Sequence, residues 1–365
     1  MGLKLLSSII YLFSSAVSFA DGPLTFNGDI RYRHDYASKL RDNSQSDSHR
    51  ERLRLRFGSQ ANVNESVKAR IRFTTSQGAS PISGNQTMTD NANKKVMYLD
   101  LALVDWQIDD GMNLVLGKQE NTFRIVPQSQ IIYDADYTPE GVSLTRQGSL
   151  FVNLGAYSLV ERSPNGTSGT SEPDSWLLAA MVGYKGDLSN SIGFTLALGH
   201  HAFTALKDNA VLTSGSFAGN SNYGADTSAR YAYDYTVNEA LGEVRYKGSD
   251  SVANIYVDAI QNAELSSNNH GLITGIGYST LSERGKPDWT LGYSFTRIDK
   301  DATVSAVNHS DFANGEDGSE GHTFVIGKSI APATSAQLTW MHALIDNNGS
   351  AFESDRALMD ILFVF

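Results

Sequence analysis

Apolar and polar residues alternate in many short stretches of this chain. The segment "HRERLRLRFG", residues 49–58, places an arginine at every even position from Arg50 to Arg56, with Leu53, Leu55 and Phe57 between them. A two-residue period is that of a β-strand, so the arginines share one face and the apolar side chains share the other. A helix with this sequence would have no continuous apolar stripe. The pattern therefore predicts a strand with one wet face and one dry face.

Alternation of this kind recurs sixteen times and predicts an all-β chain. Clusters of Asn, Asp, Gly and Ser separate the alternating segments, as they do between strands. The predicted strands lie at 24–36, 49–62, 65–75, 95–108, 111–119, 139–147, 149–161, 174–186, 190–203, 236–247, 251–263, 270–283, 287–300, 321–330, 334–346 and 354–365.

The connections between the predicted strands are short and long in turn. The short ones lie near 62–65, 109–111, 147–148, 187–190, 248–251, 283–287 and 331–333. The long ones lie near 37–48, 76–94, 120–138, 162–173, 204–235 and 301–320, and those at 264–269 and 347–353 are of moderate length. One rim of short turns and one rim of long loops is typical of bacterial outer-membrane barrels, whereas soluble sandwiches and propellers have no such asymmetry.

The two faces of the predicted strands also favour a membrane barrel. In "GFTLALGH", Phe194, Leu196 and Leu198 lie opposite small or polar residues. A soluble sandwich would need an apolar inner face to form its core. Lipid outside and water inside explains why the second face is polar, small or charged in strand after strand. The sequence therefore predicts a transmembrane antiparallel β-barrel of about sixteen strands, with short periplasmic turns and long extracellular loops.

Composition excludes several other classes of protein. The 365 residues include no cysteine, so a disulfide framework and thiolate chemistry are excluded. After the first twenty residues no run approaches eighteen apolar residues, which excludes an α-helical membrane protein. A formal charge of −11 opposes a nucleic-acid partner, and so does the export from the cytoplasm that the first twenty residues predict, as described next.

The first twenty residues have the pattern of a secretory signal peptide. Lys4 precedes an apolar stretch, and Ser18 and Ala20 are the small residues expected before a cleavage site at Asp21. An uncleaved anchor is the alternative, but the apolar stretch is shorter than a membrane-spanning helix and no stop-transfer segment follows. We therefore expect residues 1–20 to be removed and residues 21–365 to form the barrel domain.

The chain ends in "ALMDILFVF", which also alternates. Met359, Ile361, Phe363 and Phe365 share one face, and the last residue is itself aromatic. A terminal aromatic preceded by apolar residues at every second position resembles the assembly signal that the barrel-assembly machinery reads. We therefore expect the protein in the outer membrane, surrounded by lipid and lipopolysaccharide.

Together these features resemble a sixteen-stranded Gram-negative porin. The likeness covers the mature chain as architecture and is closest in "LALVDWQIDDGMNLVLGKQENTF", which is similar to the paired strands before the third external loop of porins. It implies that residues 120–138 fold into the lumen as a constriction and that three barrels associate. The Pro-Glu-Phe-Gly-Gly type motif of enterobacterial general porins is absent, with only "TPEG" at 138–141, which suggests a more distant porin family.

Basic residues are concentrated on one face of three neighbouring strands. An arginine on the lipid face costs about 2 to 4 kcal/mol near the bilayer midplane, so only a water-filled lumen tolerates a row of them. A turn centred near Val63 or Asn64 would place Arg54 or Arg56 opposite Arg70 or Arg72, although like charges facing each other are unfavourable. The predicted pore-lining basic wall comprises Arg31, Arg33, Arg50, Arg52, Arg54, Arg56, Lys68, Arg70 and Arg72.

Acidic residues on and beside the predicted constriction loop are candidates to oppose this wall. They are Glu120, Asp134, Asp136 and Glu140. We expect them to create a transverse field at the narrowest section, which orders water and favours polar solutes. In the alternative interpretation the acids are solvated loop residues and the arginines only coat a wet wall. The acidic loop at 301–320 lacks a spaced cation-ligand pattern, and we expect it to be solvated surface.

No residue pattern indicates a catalytic step, a cofactor or a metal. The histidines are scattered, and pairs such as His201 with Asp208 or His342 with Asp346 are a weak basis for a rim enzyme. The sequence therefore predicts a channel for passive diffusion of small hydrophilic solutes and ions. Two alternatives stay open: a channel that prefers sugars or organic anions, and a surface adhesin or receptor that binds through the loop at 204–235.

Overall fold

Sixteen long antiparallel strands form nearly all of the regular structure. The computed structural model describes residues 24–41, 44–89, 91–162, 173–212, 217–282, 285–347 and 350–365, so the expected signal peptide lies outside the described residues. The strands are β1 Thr25–Arg41, β2 Ser44–Asn62, β3 Val67–Thr75, β4 Met97–Asp109, β5 Met112–Lys118, β6 Glu140–Arg146, β7 Leu150–Val160, β8 Ser175–Ser189, β9 Ile192–Thr204, β10 Tyr235–Lys247, β11 Ser251–Asn262, β12 His270–Leu281, β13 Pro287–Ile298, β14 Ser319–Ala331, β15 Thr334–Asn347 and β16 Ser350–Val364. No helix within the described ranges is long and apolar enough to cross a membrane.

The strands close into a barrel. Each strand pairs with its neighbours in sequence, and β16 pairs with β1 from Asp29 opposite Val364 to Leu40 opposite Glu353. At the same seam, Gly28 and Phe365 exchange two backbone hydrogen bonds of 3.0 Å. Closure pairs the first strand with the last and so removes the two free edges of an open sheet, as a β-structure in lipid requires. The predicted sixteen-stranded antiparallel barrel is confirmed.

The alternating pattern correctly separates the two faces of the wall. In β9, Leu196 and Leu198 are 57% and 64% exposed on the outside, whereas Thr195 and Ala197 are buried inside. A row of exposed leucines is stable only against lipid, because apolar surface of this extent is unfavourable in water. The outer surface is therefore the dry face, and the arginines of β2 point inward.

Two of the predicted connections are largely strand. The segment 37–48 is paired up to Arg41 in β1 and from Ser44 in β2, and β15 and β16 extend similarly to Asn347 and from Ser350. The long loop predicted at 37–48 and the moderate one at 347–353 are therefore wrong. Polar residues predominate on both faces there, because this part of each hairpin projects beyond the apolar band, and alternation reveals a strand only where one face meets lipid.

Long connections fold into the barrel and form a core inside it. Residues 119–139, between β5 and β6, and residues 299–318, between β13 and β14, contribute buried apolar side chains that pack on the inner wall. This core includes Phe123, Val126, Ile131 and Ile132 from the first segment, Val304 and Val307 from the second, and Phe203, Val237 and Ile260 from the wall. The expectation that 301–320 is solvated surface is therefore wrong.

Two glycines mark the points where residues 119–139 leave and rejoin the wall. Gly117 and Gly141 lie opposite each other in the β5–β6 ladder, with φ of +113° and +155°. A Cβ on either residue would collide with a backbone carbonyl of the neighbouring strand, that of Ala102 or Ala156. Only glycine combines this conformation with so close an approach of two backbones.

Candidate functional site

The interior face of β1, β2 and β3 carries the arginines, but their register differs from the prediction. Even positions do pair with even positions, yet Arg56 lies opposite Thr74 and Arg72 opposite Gly58. The turn is longer than expected, because the Asn64 side chain accepts the backbone N–H of Ser66 and keeps that residue out of β3. Lys68 is exposed near this turn.

The arginines that do face each other lie across β1 and β2. Arg31 is opposite Arg54, and Arg33 is opposite Arg52. Like charges in this position repel, so opposite charges must lie close by if the pairing is to be stable.

Two aspartates of β1 supply part of that opposite charge. Asp29 contacts Arg54 at 2.9 Å and Arg56 at 2.6 Å. Asp35 is fully buried and contacts Arg50 at 2.9 Å and Arg52 at 3.1 Å. The sequence analysis missed both. They could have been found, because in "GDIRYRHDY" Asp29 and Asp35 occupy odd positions of the strand and therefore lie on the same face as the arginines between them.

More distant strands complete the charge pattern. Across the seam, Asp360 of β16 contacts Arg33 at 2.7 Å, and Arg356 of β16 contacts Asp35 at 2.9 Å. On β4, Asp100 contacts Arg72 at 2.6 Å. No local signal joins residues more than 300 positions apart, so the two partners on β16 are visible only in the closed barrel.

Two of the four predicted constriction acids contact the arginines. Asp136 lies 3.4 Å from Arg54 and 3.8 Å from Arg56, and Glu120 contacts Arg70 at 2.5 Å. Burial alone would raise the pKa of Asp136, but nearby guanidiniums, above all that of Arg54, hold its pKa below the usual range. Its carboxylate is therefore ionised throughout the neutral range.

The other two predicted acids lie elsewhere. Asp134 forms no ion pair with any described arginine; its carboxylate accepts the backbone N–H groups of Asp136 and Ser310, both at 2.8 Å. Burial, reinforced by the charge of Asp136, raises the pKa of Asp134 to about 7. Glu140 contacts Lys118 at 3.0 Å and is well exposed. The expectation that these two acids face the arginine wall is not met.

Residues 299–318 bring an acid that the sequence analysis assigned to the surface. Asp311 lies 3.0 Å from both Arg33 and Arg356. These two guanidiniums outweigh burial and hold the pKa of Asp311 well below its usual range. Asp317 of the same segment is buried and forms no ion pair with a described residue, and burial raises its pKa to about 8 although Ser305 and Asn308 donate hydrogen bonds to it.

The opposite inner wall holds residues 119–139 through side-chain hydrogen bonds. Tyr133 lies 2.9 Å from Nδ1 of His201, whose Nε2 lies 2.9 Å from Glu239. Ser129 donates to Asp258 of β11 at 2.6 Å. The segment thus reaches from Arg54 on β2 to β9 and β11 on the far side. His201 serves this contact and does not meet Asp208, and His342 pairs with Asp355 instead of Asp346.

Three cavities follow one another along the interior. A cavity of about 890 Å³ reaches from the short turn at 189–192 to Asp136. A cavity of about 880 Å³ lies on the side of the long connections and includes Lys118. A smaller one of about 240 Å³ shares Asp136 with the first and Lys118 with the second, and it is also lined by Arg56, Arg72 and Asp100.

The family of the chain follows from a comparison with family models. The model described as "Putative porin" matches residues 27–233, more than half of the sequence. The chain belongs to this porin family. A search of curated proteins found no match.

Solved structures of porins share the fold of this porin. Salmonella typhi OmpF is 11% identical with a TM-score of 0.55, covering 94% of this chain and 97% of that chain. A mutant of the Rh. blastica porin is 11% identical with a TM-score of 0.53, covering 94% and 100%. The trimer form of OmpT from Vibrio cholerae is 12% identical with a TM-score of 0.50, covering 94% and 99%.

Family membership and the closed barrel together establish the general role. The protein is an outer-membrane porin, a multi-pass barrel that forms a water-filled channel for passive diffusion of small hydrophilic solutes and ions. The adhesin alternative is not favoured. Within the described part of 204–235, Leu206 and Tyr231 are buried, and the side chain of Asn220 donates to the carbonyls of Lys300 and Thr303.

Proposed function

We propose that solutes cross this porin through the gap between Asp136 and Arg72, which lies beside the contact of Asp136 with Arg54 and Arg56. The observation that carries the proposal is the small cavity lined by Arg56, Arg72, Asp100 and Asp136, which adjoins both larger cavities. Asp136 stands on the inward-folded segment, and the arginines stand on the barrel wall. Opposite charges on the two sides of a narrow passage produce a field across the direction of transport.

This arrangement favours polar solutes over apolar ones. Water and dipolar solutes orient along a transverse field, whereas an apolar solute must displace that ordered water without compensation. The pairing of Asp136 with Arg54 and Arg56 also limits the excess positive charge at this point. The expected channel therefore passes both ions and small neutral hydrophilic solutes.

The test is conductance in planar bilayers, with the reversal potential measured under a salt gradient. We expect stepwise openings for the wild type, and for Asp136→Asn a shift of the reversal potential towards anion selectivity, because the wall loses a counter-charge. Asp110→Asn, in an exposed turn, removes a carboxylate away from this gap and is expected to leave the reversal potential unchanged. Folded protein without channel steps would refute the pore, and equal behaviour of the two variants would refute the site.

We also propose that the porin is a homotrimer. The support is the resemblance to porins and the trimer form of OmpT, which shares the fold. Native mass spectrometry of the detergent-extracted protein is expected to show three copies of the mature chain. A monomer that retains full conductance would contradict this proposal.

For export and assembly, we propose removal of residues 1–20 and recognition of the C-terminal residues by the barrel-assembly machinery. Met359, Ile361, Phe363 and Phe365 are all exposed on the outer face, where lipid, lipopolysaccharide or the machinery can reach them. N-terminal sequencing of protein from outer membranes is expected to begin at Asp21. A mature chain that still carries Lys4 would contradict cleavage.

A further inference from the structure

A third segment of the chain folds into the barrel, between β3 and β4. The chain leaves the wall after Thr75 and returns to it at Gln86, which pairs with Leu53 of β2. Thr74, at the point of departure, pairs with Arg56 of the same strand. Both ends of residues 76–85 therefore lie close together on β2, and the residues between them form a compact excursion from the wall.

Hydrogen bonds hold this excursion in one shape. The backbone N–H of Gln77 donates to the carbonyl of Asn85 at 3.0 Å, and the hydroxyl of Ser76 donates to the carbonyl of Ser83 at 2.7 Å. From the wall, Nη2 of Arg31 donates to the side-chain oxygen of Asn85 at 2.7 Å. A loop that is bonded across its base and to the wall is a fixed part of the lumen and not a mobile lid.

The excursion also contacts the two other inward segments. The backbone N–H of Gly84 donates to the carboxylate of Asp136 at 3.4 Å, and the hydroxyl of Ser310 donates to the carbonyl of Ile82 at 3.2 Å. The side chain of Ile82 packs against the apolar core inside the barrel. Residues 76–85 are therefore held inside the lumen, beside the acid that borders the proposed passage.

Residues 76–84 supply much of the wall of the narrow cavity of about 240 Å³. They contribute six of its lining residues, whereas residues 119–139 contribute two. The six are Ser76, Ala79, Ser80, Pro81, Ser83 and Gly84. Ala79, Ser80 and Pro81 also line the cavity of about 880 Å³ on the side of the long connections, so they lie where that cavity opens into the narrow one.

These six residues are all small, and none of them is charged. A wall without charge does not attract or repel ions, but it limits the cross-section that a solute can occupy. The diameter of a pore contributes to selectivity separately from the charges that line it. The charges of this cavity come from other lining residues, among them Arg56, Arg72 and Asp136.

We propose that residues 76–84 are the size filter of this porin, and that the small side chains of Ala79, Ser80 and Pro81 set the width of its entrance. The solutes they separate are neutral hydrophilic molecules of different size, such as short sugars. This role rests on the proposed function only in that solutes must cross the gap beside Asp136. Selection by charge and selection by size thus belong to different segments of the chain.

The first test enlarges one side chain of the filter. Ala79→Trp is expected to lower the single-channel conductance in planar bilayers at least about twofold, because the added ring narrows the entrance. In liposome swelling, the entry of sucrose is expected to fall more than the entry of glucose. The reversal potential under a salt gradient is expected to stay unchanged, because the substitution alters no charge.

The matched control is Ala263→Trp. Ala263 is exposed in the connection after β11, and it lines none of the three interior cavities. The same increase in side-chain size is expected there to leave both the conductance and the ratio of sucrose to glucose entry unchanged. A difference between the two variants therefore reports the position of the added ring and not its presence.

A second test makes a smaller change to the fold. The chain has no cysteine, so Ala79→Cys and Ala263→Cys each introduce a unique thiol. Benzyl methanethiosulfonate, a neutral reagent, is expected to lower the conductance of open Ala79→Cys channels in steps and to leave Ala263→Cys channels unchanged. This measurement decides the matter even if Ala79→Trp does not fold.

The outcomes separate this proposal from the proposed passage. Equal responses at positions 79 and 263, whether both change or neither does, overturn the size filter. If Asp136→Asn still shifts the reversal potential in that case, the passage stands and residues 76–84 are not its limiting wall. A response at position 79 without any shift for Asp136→Asn supports the filter and removes the charge site. Folded wild-type protein without channel steps overturns both.

Discussion

At the scale of single residues, the lumen wall depends on acids placed between arginines. Asp35 is the central example, because its fully buried carboxylate contacts Arg50, Arg52 and Arg356. A buried charge that loses its partner is costly, and here one carboxylate serves three cations. Asp35 therefore does more for the stability of the barrel than any exposed ion pair of the rim.

We predict that Asp35→Asn lowers the free energy of unfolding by about 3 kcal/mol, because three guanidiniums lose their common counter-charge. Urea unfolding of the refolded protein, followed by the shift of the folded band on gels, measures the change. Asp110→Asn, in an exposed turn, is the matched control and is expected to alter stability by less than about 0.5 kcal/mol. Equal midpoints for the two variants would show that lumen water screens this cluster effectively.

At the scale of elements, two inward segments hold each other in place. The backbone N–H of Asp134 donates to the carbonyl of Val307 at 2.8 Å, and its carboxylate accepts from Ser310. The raised pKa values of Asp134, about 7, and of Asp317, about 8, mean that the docked state binds more protons than the open one. The stability that these two protonated acids give to the docked state is therefore fully present below about pH 4 and is lost as the pH rises through 7 and 8.

We predict that the contact between residues 119–139 and 299–318 loosens between about pH 5 and pH 9. Protection of the Ser310 amide in hydrogen exchange, corrected for the intrinsic rate, is expected to fall at least about tenfold over this range. The lowered pKa values of Asp136 and Asp311 place their own contributions at more acidic pH, outside this window. Asp134→Asn is expected to reduce the pH dependence, and the amide of Leu198 in β9 serves as the internal reference. Protection that increases with pH would contradict the sign.

The glycines at the ends of the first inward segment give a second prediction at this scale. Gly117→Ala is expected to cost about 2 kcal/mol or more, because it combines a positive φ with a collision against the carbonyl of Ala102. Gly242→Ala is the matched control in the barrel wall: its nearest neighbours would lie at ordinary contact distances of 3.6 and 3.7 Å. Thermal unfolding of the two variants measures the difference, and similar midpoints would show that the wall can move to accommodate the extra methyl group at position 117.

At the scale of the whole molecule, the seam between β1 and β16 decides whether the barrel closes. Gly28 and Phe365 are joined by two backbone hydrogen bonds, and the ring of Phe365 lies where a Cβ on Gly28 would be. The same seam brings Arg356 and Asp360 to the arginine wall. Closure thus creates the charge pattern of the lumen as well as removing the strand edges.

We predict that Phe365→Ala separates assembly from stability. The backbone hydrogen bonds to Gly28 remain, so the protein refolded in detergent is expected to unfold within a few degrees of the wild type. In cells, the amount of heat-modifiable barrel in the outer membrane is expected to fall severalfold, because the proposed recognition of the terminal aromatic is lost. A large loss of stability in detergent with normal membrane levels would reverse this assignment.

Much of the fold was accessible from the sequence because the bilayer imposes a strict rule on each strand. Leu196 and Leu198 must face lipid, so their neighbours must face inward, and the strand count follows from this alternation. The rule has no force beyond the membrane, which is why the segment at 37–48 was predicted as a loop and is largely strand. It is equally silent about residues 301–320, where Asp311 and Asp317 find their partners inside the barrel.

The sequence by itself therefore determined the barrel, its dry outer face and its arginine-rich inner face, since each depends on a two-residue period that is local. Only the tertiary structure decided which charges meet. The register set by a turn centred on Glu65 separates Arg56 from Arg72, and closure at the seam brings Asp360 to Arg33. Inward folding brings Asp136 and Asp311 to the same wall. These contacts join distant segments, and no local pattern of residues encodes them.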